Sequence, residues 1–292
     1  MSESNYTISD LETLSGIKAH TIRIWEKRYN IIKPSRTETN IRYYSNEDLK
    51  HLLNISFLNK NSFKISKIAE LSPTQIAEKV QSINIVQSNN NDHIDQLIVA
   101  MIDLNETQFE KTFSASLFRI GFERTISEIV FPFLQRTGVM WQTGSINPAQ
   151  EHFVSNLIRQ KLIVAIDSLP KTQKENAPKA VLFLPENELH ENSLLLYNYI
   201  LKSQGYHTYY FGQTVPIPDL KRIVDITKAE TFITVITADM NTKEFKAMIT
   251  QLEELPKKIK IFLSGRVVMN SPKKFPKKAF IFNNAEELKK LI

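Results

Sequence analysis

The C-terminal part of the chain alternates short apolar runs with amphipathic stretches, and this alternation restricts its possible folds more than any other feature. Five runs have the length of β-strands: 180–184, 207–211, 231–237, 260–263 and 279–282. Helical patterns separate or follow them at 191–203, 217–227, 243–255 and from 285. Continuous apolar strands joined by helices indicate a parallel sheet covered on both faces. We therefore predict a five-stranded, doubly wound parallel sheet of the flavodoxin type, whose ligands lie at the carboxyl ends of the strands.

The stretch before this sheet is predicted to be helical from residue 94 to 170, because its apolar residues recur at steps of three and four. Four segments carry the pattern and predict a four-helix bundle. The asparagine-rich stretch 87–93 lacks apolar periodicity and is interpreted as linker. The predicted organisation has four parts: an N-terminal domain (1–72), a linker (73–93), a helical bundle that caps the sheet (94–172) and an α/β domain (173–292).

Composition excludes several kinds of chemistry. Cysteine is absent from the 292 residues, which rules out disulfides, thiolate metal sites and a cysteine nucleophile. The 7 glycines make up about 2.4% of the chain, against a usual value of about 7%, and none has the spacing of a phosphate-binding loop. No catalytic triad or carboxylate pair stands out, and no apolar run reaches the roughly 18 residues of a membrane span. We expect a soluble, cytoplasmic protein that is not an enzyme.

The N-terminal segment concentrates positive charge on a helical pattern. Between positions 18 and 42 lie 7 basic and 2 acidic residues, a local net charge of +5. One short helix ends at Gly16, a second begins near Lys18, and 35–44 predicts a two-stranded wing. A basic helix–turn–helix fits the major groove of DNA, and wing cations fit the phosphates. On composition alone, a protein-interaction module with a solvated basic face is an equal alternative.

The order and spacing of residues in this segment resemble the MerR-family DNA-binding domain over positions 6–71. The resemblance rests on Thr-x-Arg-x-Trp-Glu-x-Arg from Thr21, Pro34-x-Arg36, and Asn40-x-Arg42-Tyr43-Tyr44-Ser45. It implies a winged helix–turn–helix that binds a pseudo-palindromic double-stranded DNA operator as a homo-oligomer, a dimer or tetramer. The expected DNA contacts are Lys18, Thr21 and Lys27 on the outer faces of the second helix and, by resemblance, Arg23 and Tyr29 at the groove and Arg36, Arg42 and Tyr43 on the backbone.

A histidine follows the first predicted strand, in the sequence PENELHENS. His190 can bind a metal through one ring nitrogen while Glu188 orients the other, although a loop histidine facing solvent is the alternative. The context resembles the Asp/Glu-x-His-x-x-Gly motif of cobalamin-binding domains. By that resemblance His190 is the lower ligand of cobalt. The remaining residues expected around the nucleotide tail are Ser193 and Ser264, each in place of a family glycine, with Thr234 and Gly265.

A second cluster surrounds the predicted start of the last bundle helix at Asn147-Pro148. Trp141 precedes this start, and Glu151 and His152 fall in the first turns. The alternative is a core tryptophan with a surface Glu–His pair. The spacing resembles the helical cap of light-sensing cobalamin regulators of the MerR family, in which these residues pack against the adenosyl face. Gln142 stands where photoreceptor members carry a second histidine.

Together the motifs predict a DNA-binding transcriptional regulator, a repressor, whose oligomeric state or DNA affinity is controlled by a cobalamin bound between the helical bundle and the α/β domain. Adenosylcobalamin is the expected form. Two alternatives stay open: a MerR-type regulator whose degenerate sensor no longer binds cobalamin, and a corrinoid methyl-transfer protein, which would have no use for a winged helix.

Overall fold

The computed structural model describes residues 6–83, 89–142, 146–170, 176–271 and 275–292, with only the backbone described at 81, 141 and 142. Packing divides the chain into two compact units, Met1–Asn156 and Leu157–Ile292. This division falls inside a helix and groups the N-terminal domain with most of the bundle. The predicted domain limits 1–72, 94–172 and 173–292 stay predictions.

The N-terminal helices begin and end at local signals in the sequence. Helix α1 (Ile8–Ser15) starts from a capping box formed by Thr7 and Asp10 and ends at Gly16, whose φ of 70° is left-handed. Helix α2 (Ala19–Tyr29) ends at Asn30, also left-handed at φ 52°. Gly16 therefore makes the predicted turn between the two helices.

The wing also matches the sequence prediction, and a third helix follows it. Strands β1 (Ser35–Arg36) and β2 (Arg42–Tyr43) pair antiparallel. Asn40, at φ 66°, lies in the turn between them. Helix α3 (Asn46–Lys60) starts from a capping box between Ser45 and Asp48 and buries Leu49, Leu52 and Leu53 against the N-terminal core.

The predicted linker 73–93 stays a prediction as a domain boundary, but helices that were not predicted occupy most of its described length. Helix α4 (Ile65–Ile68) is followed by α5 (Pro73–Ser82), which begins from a capping box between Ser72 and Gln75. The asparagine run supplies the N-cap of the next helix, because the Asn89 side chain accepts a hydrogen bond from the Asp92 backbone N–H. Residues 84–88 lie outside the described residues.

The bundle prediction is confirmed as a series of helices from Asn90 onward. They are α6 (Asn90–Ile102), α7 (Glu106–Ile120), α8 (Phe122–Thr125) with a π-helical turn (Ile126–Val130), α9 (Phe131–Gln142) and α10 (Pro148–Asp167). Helix α10 begins as predicted, since Asn147 and Gln150 bond each other's backbone N–H groups across the first turn.

The predicted parallel sheet is confirmed in strand positions and order. Its strands are β3 (Lys179–Pro185), β4 (His207–Val215), β5 (Thr231–Val235), β6 (Lys260–Ser264) and β7 (Ala279–Ile281). They lie in the order β4-β3-β5-β6-β7, all parallel, which is the flavodoxin order. The connecting helices are α11 (Asn192–Ser203), α12 (Leu220–Thr227), α13 (Thr242–Glu253), α14 (Arg266–Met269) and α15 (Ala285–Leu291).

Candidate nucleic-acid interface and ligand site

A basic groove of about 470 Å³ runs between α2 and the wing. The cations of its lining come from the helix, the connecting loop and both wing strands: Arg23, Lys27, Lys33, Arg36 and Arg42. All five side chains are exposed. A single surface thus offers guanidinium and ammonium groups from separate elements, as a phosphate backbone requires.

Two positively charged side chains face each other across the two strands of the wing. Arg36 and Arg42 are direct cross-strand partners, an arrangement that destabilises a strand pair unless an anion lies nearby. Arg36 also donates to the Asn40 side chain at 2.6 Å, which holds the guanidinium over the turn. The wing is therefore suited to a polyanion.

The other predicted DNA contacts are distributed around α2. Lys18 is exposed and pairs with Glu12, while Thr21 and Tyr29 are half-buried. Arg28 stacks over the Tyr29 ring at 5.4 Å. Tyr43 is half-buried on β2, and its neighbour Tyr44 is buried.

One contact that fixes α2 to the wing was not predicted. The Tyr44 hydroxyl donates to Glu26 Oε1 at 2.5 Å. Burial raises the pKa of Tyr44, and the Glu26 carboxylate raises it further, so the phenol stays a donor. Glu26 and Tyr44 both belong to the motif spacing, but spacing alone does not show that they bond.

A buried ionic cluster joins the N-terminal helices to the bundle within the first unit. Asp95 on α6 is fully buried and receives Arg136 of α9 at 2.7 Å and Lys60 of α3 at 3.3 Å. Burial raises the pKa of Asp95, and the two cations oppose that rise. The sequence analysis did not predict this cluster. Asp92 and Asp95 lie in an otherwise apolar helical segment, and such a position indicates that buried acidic residues have ionic partners.

Glu188 holds His190 at the carboxyl end of β3. Glu188 Oε1 lies 2.6 Å from His190 Nδ1, and its other oxygen accepts the backbone N–H groups of Thr237 and Ala238 at 2.6 and 2.7 Å. Burial would raise the pKa of Glu188, but these hydrogen bonds outweigh it and lower the pKa to about 2. An ionised carboxylate at Nδ1 favours the proton there and the lone pair on Nε2, the arrangement found in metal-binding histidines.

The other residues expected near His190 lie on neighbouring elements. Thr234 on β5 is buried, and its hydroxyl has no hydrogen-bond partner among the described residues. Ser264 ends β6 and is buried, 3.4 Å from the hydroxyl of Tyr197 on α11. Ser193 is half-buried in the first turn of α11. Tyr197 was not predicted, because its position in an apolar helical pattern carries no functional signal.

Gly265 is required by the backbone. Its φ is 105°, and a Cβ atom there would stand 2.4 Å from the Ile236 carbonyl oxygen. The backbone of this loop therefore requires glycine at position 265, whether or not a ligand binds beside it.

Glu151 and His152 form the predicted pair in the first turns of α10, with Glu151 Oε2 2.9 Å from His152 Nδ1. Trp141 lies in the last turn of α9, and its side chain and that of Gln142 fall outside the description. Among the described residues, no group of three histidine or acidic side chains could hold a metal ion. Within the same residues, no helix combines the length and apolarity needed to cross a membrane.

Two family models match the chain. Residues 6–75 match the MerR HTH family regulatory protein, and residues 93–165 match the B12 binding domain. The first of these segments is therefore of the MerR helix–turn–helix type, and the helical segment after it is similar to B12 binding domains.

Two curated relatives are similar to most of the chain. The chain is 26% identical to the HTH-type transcriptional repressor CarH of Myxococcus xanthus over 273 residues, which cover 91% of this chain and 90% of CarH. It is 24% identical to CarA of the same organism, over 73% of this chain and 70% of CarA. In fold it is similar to the Methanosarcina barkeri monomethylamine corrinoid protein, with a TM-score of 0.53 at 19% identity over 70% of this chain and 98% of that one.

Proposed function

We propose that this chain is a DNA-binding transcriptional regulator, acting as a repressor, whose DNA affinity or oligomeric state is controlled by a bound cobalamin. The basic groove between α2 and the wing supports DNA binding, and CarH and CarA are both named as transcriptional repressors. That agreement favours a regulator over a corrinoid methyl-transfer protein. The proposed partners are a double-stranded operator and further copies of the chain, in the cytoplasm.

The observation that carries the cobalamin proposal is the Glu188–His190 pair. A single imidazole with its Nδ1 held by a buried carboxylate suits an axial ligand, which needs one nitrogen donor and no further protein ligands. The buried Thr234 hydroxyl, which lacks a protein partner among the described residues, suits a ligand that brings a polar group to β5. Both observations fit a corrinoid.

We propose adenosylcobalamin as the form bound, and it would supply a cobalt–carbon bond that light can break. His190 would hold it from below, with Glu188 orienting the ring. Ser193, Thr234, Ser264 and Gly265 would line the path of the nucleotide tail, and Trp141, Glu151 and His152 would face the upper side. These assignments extend the family resemblance to single residues of this chain.

The test is the absorption spectrum of the full chain mixed with adenosylcobalamin in the dark and desalted. We expect a coloured protein with the spectrum of histidine-ligated, base-off cobalamin. His190→Ala should lose that spectrum, whereas His207→Ala, a control histidine at the start of β4, should retain it. A colourless wild-type protein would support the degenerate sensor, and an unchanged spectrum in His190→Ala would overturn the axial ligand.

DNA binding is tested separately by mobility shift on upstream DNA of the chain's own gene. We expect a specific complex whose affinity changes on adding or illuminating adenosylcobalamin. A complex that ignores the cofactor would support the degenerate regulator, and the absence of any specific complex would contradict the regulator itself.

A further inference from the structure

Helix α2 carries an isoleucine on the side that faces away from the core of its domain. Ile22 is fully buried and Trp25 is half-buried, whereas Ile24 is 51% exposed. With 3.6 residues per turn, Ile24 lies about 160° around the helix axis from Ile22. The Ile24 side chain is therefore directed outwards, and it is not part of the packing that holds α2 in place.

Basic residues flank Ile24 on both sides of this outward face. Lys27 and Arg28 lie three and four positions further along the helix, so they are its neighbours one turn away, one on each side of it. Both are exposed, and Lys27 also lines the basic groove between α2 and the wing. One turn before Ile24, His20 is exposed as well. An apolar side chain thus lies among exposed side chains that carry nitrogen.

This arrangement of side chains matches the surface of a DNA major groove. Phosphates border the groove on both sides, and the edges of the bases form its floor. When a helix lies in the groove, cations at the sides of its outward face reach the phosphates, and a residue between them faces the bases. The apolar group that bases present in this groove is the C5-methyl group of thymine. An isoleucine between two cations therefore suits a thymine.

We propose that Ile24 is a specificity-determining residue, whose side chain contacts the C5-methyl group of a thymine in the major groove of the bound DNA. This contact rests on the proposed function, because it requires α2 to enter the groove of an operator. Isoleucine is branched at Cβ and keeps nearly one rotamer in a helix, so little side-chain freedom is lost when the contact forms. Ile24 selects thymine at the base pair that it faces, whereas contacts of the flanking cations with phosphates are alike for every sequence.

The test uses DNA sequences that the full chain selects from a pool of random duplexes, in whichever cobalamin state binds DNA more tightly. Each thymidine of the selected sequence is replaced in turn by 2′-deoxyuridine, which lacks only the methyl group. We expect one position, or a symmetry-related pair, at which this replacement weakens wild-type binding about fourfold, the effect of one buried methyl group. Ile24→Ala should bind the thymine-containing sequence at least fourfold more weakly, by the same measure, and should not respond to deoxyuridine at that position.

The matched control is Ile41→Ala, which removes a second exposed isoleucine of the same domain, from the wing. This variant should keep the full response to methyl removal, because the wing is expected on the DNA backbone. Ile24→Ala should itself fold normally, since the side chain is exposed and alanine favours a helix.

Three results would overturn the methyl contact: an unchanged response to deoxyuridine in Ile24→Ala, a wild-type chain that responds at no position, or an equal loss of response in Ile41→Ala. A specific complex forms in each of these cases, so the proposed function survives them. A pool from which no sequence is enriched would instead contradict the regulator, and the methyl contact would be wrong with it.

Discussion

Lys60, the last residue of α3, places its ammonium 3.3 Å from the buried carboxylate of Asp95 on the first bundle helix. The same carboxylate receives Arg136 from α9, the helix whose last turn contains Trp141. One acidic side chain therefore joins α3, the helix that follows the wing, to a helix of the predicted sensor. In a regulator of the proposed kind, this shared ion pair is a direct route by which a change in the bundle reaches α3.

Removal of the Asp95 carboxylate should destabilise the first unit. Asp95→Ala leaves the half-buried Arg136 without its acid and Lys60 with Asp92 alone, and we expect a loss of about 3 kcal/mol in the free energy of unfolding. Urea unfolding measures the loss. The control Glu70→Ala breaks the exposed Lys67–Glu70 pair and should cost less than about 1 kcal/mol. Similar midpoints for the two variants would contradict the role of Asp95.

Loss of a wing cation should weaken DNA binding without changing its sequence preference. Arg36→Ala should reduce affinity for all sequences alike and lower the slope of log K against log salt by about 1, because one phosphate contact is lost. Fluorescence anisotropy at several salt concentrations measures both effects. Lys246→Ala removes an exposed cation of α13 and should leave the slope unchanged. An unchanged slope in Arg36→Ala would show that Arg36 of the wing does not contact a DNA phosphate.

Glu188→Gln should weaken metal ligation at His190 although His190 itself is intact. A carboxamide facing Nδ1 donates a hydrogen, which shifts the ring proton to Nε2 and takes away the lone pair needed by a metal. We expect a loss of about 10–100-fold in cobalamin affinity, the usual effect of losing such an outer partner. Titration followed by the absorption spectrum measures it. Wild-type affinity in this variant would mean that Glu188 does not set the tautomer.

Glu188 should also make the free energy of unfolding decrease at acidic pH. The folded-state pKa of Glu188 is about 2, below its ordinary value of 4.5, so its contribution is complete above pH 4.5 and is lost as pH falls towards 2. That contribution is about 3 kcal/mol, from the size of the shift. Unfolding of wild type and Glu188→Gln should therefore converge from pH 5 downwards. A constant difference in unfolding free energy over this range would show that the carboxylate is not stabilised by the fold.

Two glycines with positive φ should respond differently to alanine. Gly265→Ala places a Cβ 2.4 Å from the Ile236 carbonyl oxygen and should cost more than about 3 kcal/mol. Gly205→Ala, at φ 88° with nothing within 4 Å, carries only the left-handed backbone strain of about 1 kcal/mol. Thermal unfolding compares them. Equal losses would mean that the loop after β6 relaxes around the new methyl group.

The sheet was predictable because its three central strands, β3, β5 and β6, are buried over most of their length and each crossover needs a helix, so apolar runs and amphipathic stretches alternate along the chain. The helical structure inside the predicted linker 73–93 was missed because Asn89 caps a helix, and an N-cap has the composition of a loop residue. Partners such as Lys60 and Asp95 stand 35 positions apart. Their pairing depends on how helices pack, which no local pattern records. For the same reason the Tyr197–Ser264 contact could not be foreseen.

The hydrogen bond between Glu188 and His190 affects which ligands the proposed site would select. Because Glu188 orients the imidazole before any cobalt arrives, binding does not have to freeze that side chain, which would otherwise cost about 0.5–1.5 kcal/mol. As the proposed lower ligand, His190 would be equally ready for every corrinoid, whatever group the cobalt carries above. Discrimination between light-sensitive and light-insensitive cobalamins would then depend on residues on the opposite side of the corrin ring.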